Sequence, residues 1–99
     1  MLSEKTRVAV RRAFYRDCGM TKYRSKNVDV CSAGTYRKVL ILHGNTIARR
    51  GDNCKVEINL CGYNTLAAKR WLGALCLPHT NAEFEKRNVP PNGWHVVTR

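Results

Sequence analysis

The residues with the clearest chemical potential are cations. Lys5, Arg11, Arg12, Arg16, Lys22, Arg24 and Lys26 crowd the first quarter of the chain, and Arg37, Lys38, Arg49, Arg50, Lys69 and Arg70 follow. Lys and Arg at this density supply phosphate contacts, and Arg can also fork onto a guanine edge. Tyr15, Tyr23 and Tyr36 are interleaved with them, where they could stack on unpaired bases. The plain alternative is a set of solvated faces with tyrosines at the core margin. Arg49-Arg50 stands out because a hairpin would hold the pair within reach of a partner. Lys69 and Arg70 fit equally well as the ordinary wet side of an amphipathic helix.

Other chemistries have weaker support. Cys76-Leu77-Pro78-His79 has a two-residue spacer that suits zinc, with Cys54 and Cys61 or His43 as further ligands. No C-x-x-C pair accompanies it. Cys31, Cys54, Cys61 and Cys76 lie in or beside apolar segments, where thiols act as small hydrophobes, so neither metal nor cofactor is expected. Seven acids and three widely spaced histidines do not cluster an acid, a base and a nucleophile. Asp29, Asp52 and Glu57 could meet on a sheet to hold a nuclease metal, but no spacing singles them out. Gly44 and Gly51 belong to turns and not to a phosphate loop ahead of a helix. The expectation is a binding protein and not an enzyme.

Bulk properties agree. The 99 residues suit one domain spanning 1–99, and 18 Lys and Arg against seven Asp and Glu give a net charge of +11. Residues 1–26 hold eight cations and two acids, six of the eleven net charges. Such a surface concentrates polyanions, whether nucleic acid or an acidic protein. Five cysteines, an odd number, with no secretory signal fit a reducing compartment. The longest apolar run, Val39-Leu40-Ile41-Leu42, falls far short of the roughly 20 residues of a membrane span, so a soluble cytoplasmic protein is expected.

The elements that must position these residues read as follows. Ser3 caps a helix from Glu4 to about Asp17, ended near Gly19, with Val10, Ala13 and Phe14 inward and Lys5, Arg12 and Arg16 on nearly the opposite side. Residues 20–27 form a basic loop or arm. Strands follow over Val28–Ala33, Tyr36–His43, Thr46–Arg50 and Lys55–Cys61, joined at Gly34-Thr35, Gly44-Asn45 and Gly51-Asp52-Asn53. Val56, Ile58 and Leu60 alternate with polar residues, the period of a sheet with one wet face. Asn64 or Thr65 caps a second helix with Ala67, Ala68, Trp71, Leu72 and Leu75 on one arc, and Pro78 stops it. Phe84–Asn88 and Trp94–Thr98, about the Pro90-Pro91-Asn92-Gly93 turn, read as a closing hairpin. The fold class is α+β: an N-terminal helix, an antiparallel meander of three to four strands, a helix packed on the sheet and a C-terminal hairpin. An open edge near Val28 offers a surface for a homodimer.

The stretch Val39-Leu40-Ile41-Leu42-His43-Gly44-Asn45-Thr46-Ile47-Ala48, the alternating Lys55–Leu60 segment, and Gly62-Tyr63-Asn64-Thr65 before a basic helix resemble a family of small uncharacterised phage and prophage proteins. These carry a strand, a His-Gly-Asn-x-Ile-Ala turn, a second strand and a Gly-Trp-x-Thr cap ahead of a short basic helix. The resemblance covers residues 36–76 and extends weakly to about 97. Tyr63 stands where Trp is usual, Leu66 and Ala67 where Thr often stands, and Gly73-Ala74 where Leu-Asn is usual. Turns and caps mark a lineage and not a reaction. The resemblance implies a phage accessory protein in the cytosol of an infected bacterium. Two functions follow as expectations. One is nucleic-acid binding through the N-terminal helix, the arm and the meander. The other is host takeover or defence inhibition, as an anti-CRISPR-like protein or an inhibitor of a polymerase or nuclease would act, by docking on a host protein with an acidic patch. Sheet-type DNA readers also pair strands with a covering helix, a likeness of fold alone.

Overall fold

The structure, a computed structural model, describes residues 2–16, 22–51, 55–62 and 65–97. Helix α1 (Glu4–Tyr15) starts where the Ser3 hydroxyl accepts from the Thr6 N–H at 3.2 Å. Val10, Ala13 and Phe14 are buried, and Lys5, Arg12 and Arg16 are exposed, as their helical spacing requires. Gly19 lies outside the described residues.

Six antiparallel strands follow one another across a single sheet in chain order: β1 (Tyr23–Arg24), β2 (Val28–Ala33), β3 (Tyr36–Leu42), β4 (Asn45–Arg50), β5 (Val56–Ile58) and β6 (His95–Val97). The Gly34-Thr35 turn falls as expected. The next turn is His43-Gly44, one residue earlier than the sequence suggests, because Asn45 pairs with Leu42. Both turn residues have positive φ, 51° and 82°, the geometry that matches strand twist in a two-residue hairpin. Asp52 and Asn53 lie outside the described residues, while the Gly51 N–H reaches the Lys55 carbonyl at 2.9 Å.

Register decides which side chains face inward. Val28 and Val30 of β2, Leu40 and Leu42 of β3, Ala48 of β4, Val56 and Ile58 of β5 and Val97 of β6 form the inner face and join one core with the helices. A register shift in the β3–β4 pair leaves Ile47 unmatched, so Ile47 and Ala48 both turn inward. The basic arm contributes β1, which lies against β2 with Tyr23 opposite Val30 and the Ser25 N–H on the Val28 carbonyl at 2.8 Å. The edge near Val28 is therefore already paired within the chain, and the open edge expected there is not present.

Helix α2 (Leu66–Ala74) is capped by Thr65, whose hydroxyl accepts from the Ala68 N–H at 3.2 Å. Ala68 and Leu72 are buried and Trp71 packs beside Tyr23. The helix ends with Cys76 at φ 60°, the Leu77 N–H on the Leu72 carbonyl and the Cys76 N–H on that of Gly73, both at 3.0 Å, a Schellman closure.

The closing hairpin is corrected. Residues 81–87 form α3 (Asn81–Arg87), and β6 pairs with β5 instead of with residues 84–88. Thr80 caps α3 through the Glu83 N–H at 3.1 Å, and Asn88 at φ 56° ends it. A seven-residue helix does not persist alone. Burying Phe84 in the core, worth about 2 kcal/mol, holds it in place. Among the described residues, no helix is long and apolar enough to cross a membrane.

Candidate nucleic-acid interface

Helices α1 and α2 are tied at their sides. Arg11 Nε donates to the Ala74 carbonyl at 3.1 Å and the Tyr15 hydroxyl to the Leu75 carbonyl at 2.6 Å, so α1 supplies donors to the last turn of α2. Beside this seam runs a groove of about 350 Å³ lined by Leu2, Arg7, Lys69, Arg70, Gly73, Ala74 and His79. Three of these are cations and none is a carboxylate. Among the described residues Arg7, Lys69 and Arg70 form no ion pair. A shallower depression, lined by Val8, Arg11, Arg12, Tyr15 and Arg16, continues the positive surface along α1. Uncompensated charge in a concave surface focuses the field on an incoming anion.

Arg7 is absent from the residues singled out by sequence. It stands four positions before Arg11, so both lie on the flank of α1 that meets α2. That i,i+4 pair is the signal that could have found it. Only the packing direction says which flank faces a neighbour.

His79 forms another part of the wall. Its Nδ1 lies 2.8 Å from the Leu77 carbonyl oxygen and 3.7 Å from Glu83 Oε1. Its ring rests on Gly73, where a Cβ would come within 3.0 Å of the His79 Cδ2. The hydrogen bond from the Thr80 hydroxyl holds the Glu83 carboxyl below the ordinary glutamate range, helped by the His79 N–H.

Other expected contacts are corrected by the register. Lys38 and Arg50 stand opposite each other on the inner face of β3 and β4, only 2% and 3% exposed, and take no part in a surface. Alternation along β4 sends adjacent arginines to opposite faces. Arg50 points under α1, while Arg49 lies on the outer face, 3.7 Å from the Trp94 ring centroid and 4.4 Å from that of Tyr36, with Nε 3.0 Å from Glu57 Oε1. Val39, the cross-strand partner of Arg49, is only 4% exposed although it faces outward. The hairpin therefore presents neither arginine freely to a partner.

The three tyrosines are also engaged. Tyr15 bonds Leu75, Tyr23 packs against Trp71 and Tyr36 lies under Arg49. Lys22, Arg24, Lys26 and Arg37 are exposed, with Arg24 and Lys26 beside His43 in a further depression that also contains Asp29.

No metal donors converge among the described residues: no three His, Cys, Asp or Glu side chains gather, and Cys54 and Asp52 lie outside them. Asp29 and Glu57 are separated by β3 and β4. Burial raises the thiol pKa of Cys61, whose Sγ donates to the Thr46 carbonyl at 3.5 Å. Burial, and then the Asp29 carboxylate, raise that of Cys31 against the opposing pull of Lys22 and Lys38. Neither thiol is poised as a nucleophile. No protein-family profile, curated protein or solved structure matches the chain.

Proposed function

We propose that this protein binds nucleic acid without catalysis, gripping the phosphate backbone in the groove between α1 and α2. The observation that carries the reading is the groove wall itself: Arg7, Lys69 and Arg70 converge with no carboxylate in the lining. Exposed Arg12 and Arg16, with Arg11 in the neighbouring depression, add charge along α1. Phosphate oxygens would accept hydrogen bonds from these side chains, and release of condensed counterions would drive association. With Tyr15, Tyr23 and Tyr36 already engaged inside the fold, base stacking on them is not the mode, and weak sequence preference is expected. The turn-and-cap pattern over residues 36–76 favours an accessory protein of phage type.

The test is titration of labelled single-stranded and duplex oligonucleotides at several salt concentrations. Changing Arg7, Lys69 and Arg70 together to Ala should reduce the slope of log affinity against log salt by about two to three, roughly one per lost phosphate contact. Unchanged affinity in the triple variant would move the site elsewhere, with the Arg24–Lys26 end of the sheet as the next place to mutate. Absence of binding at low salt would sink the reading and leave an acidic protein as the partner of this surface.

A further inference from the structure

His79 lines the groove beside Arg7, Lys69 and Arg70, yet its chemistry differs from theirs. A carbonyl oxygen only accepts hydrogen bonds, so the 2.8 Å contact with Leu77 means that Nδ1 carries a proton. In the neutral ring Nε2 is then bare. It sits on the ring edge that lies against Gly73, a residue of the same groove wall. A bare Nε2 is an acceptor and has nothing to offer a phosphate oxygen. The protonated ring instead donates a charge-assisted hydrogen bond from Nε2.

We propose that His79 is a proton-coupled phosphate ligand: nucleic acid bound in the groove takes up a proton from solvent at Nε2, and affinity rises on acidification. This deepens the phosphate-binding reading and rests on it. The charged groups that face the ring are Arg7 on α1, Lys69 and Arg70 on α2 and Glu83 on α3, the last with Oε1 3.7 Å from Nδ1. A phosphate oxygen among them accepts from Nε2 only when the ring is protonated. Because the bound state holds the proton more tightly, linkage requires that protons strengthen binding.

The experiment measures affinity for a labelled oligothymidylate at fixed low salt from about pH 8 to about pH 5.5, across the histidine range. It compares the unmodified chain with His79→Gln. The unmodified chain should tighten by about five- to tenfold over that range, with uptake of up to about one proton. His79→Gln should lose the rise, whatever its affinity near pH 8. A flat profile in a chain that binds, or an undiminished rise in His79→Gln, would each overturn the proposal while leaving phosphate binding intact. No binding at any pH would overturn both.

Discussion

Arg50 Nε lies 2.9 Å from the carbonyl oxygen of Phe14, and its Nη2 lies 3.4 Å from that of Arg16. A cation from the middle of the sheet thus meets the carbonyls that the last turn of α1 leaves unpaired, at the end of the helix where positive charge is favoured. Arg11 repeats the device on α2 through the Ala74 carbonyl. Two basic residues that look like surface charge in the sequence serve to close helices.

Arg50→Ala should therefore lower stability by about 3 kcal/mol, since it strands buried carbonyls and opens a cavity under α1. Urea denaturation would show this as a lower midpoint. Nucleic-acid affinity of the folded variant should change by less than about twofold, because Arg50 does not reach the groove. Arg50→Lys should recover little, as one ammonium cannot reproduce a planar fork.

Arg49 holds the outer face together through Trp94, Tyr36 and Glu57. Arg49→Ala should cost about 1–2 kcal/mol. It should also expose Trp94, read as a red shift of its fluorescence in a Trp71→Phe background.

Cys76 occupies the left-handed position of the Schellman closure of α2, a place that favours glycine. Cys76→Gly should raise stability by about 0.5–1 kcal/mol, seen as a higher melting temperature. A loss of stability would mean that the thiol makes a contact that outweighs the backbone strain.

Thiol reactivity should follow burial. Cys76 is exposed, while Cys31 and Cys61 are half-buried with raised pKa values. Near neutral pH, iodoacetamide should modify Cys76 at least about tenfold faster than either, as peptide mapping by mass would show.

Glu83 makes α3 sensitive to acid. Its folded pKa lies below the unfolded one, chiefly through the Thr80 hydroxyl, so its contribution is present above the ordinary glutamate range. That contribution is lost as pH falls through the lower folded value. Glu83→Gln should lose that contribution above the ordinary glutamate range and so remove this part of the acid dependence of unfolding. An acid limb identical to that of the unmodified chain would show that the carboxylate adds nothing.

Much of the fold was legible locally. Ser3, the Val10-Ala13-Phe14 stripe, the Thr65 cap and the alternation of Val56 and Ile58 each need only neighbouring residues to act. Phe84–Asn88, read from the sequence as an arm of a hairpin, belongs instead to α3 and its C-cap. The capping signal of that helix, Thr80 followed three residues later by Glu83, is brief, and a single apolar anchor, Phe84, shows no periodicity. The groove was half legible: Lys69 and Arg70 were identified, but Arg7 and His79 reach them only because α1, α2 and the segment before α3 pack together.

The sequence by itself determined the basic balance, the α+β composition, the caps of α1 and α2 and the Gly34-Thr35 turn, because propensity, capping and charge are properties of nearby residues. Tertiary structure alone decided which cations face solvent. A bulge or a one-residue change of register moves a side chain from one face of a sheet to the other. Alternation puts Arg49 and Arg50 on opposite faces of the sheet, and the register after the bulge decides that Arg49 is the one stacked on aromatic rings and Arg50 the one closing a helix.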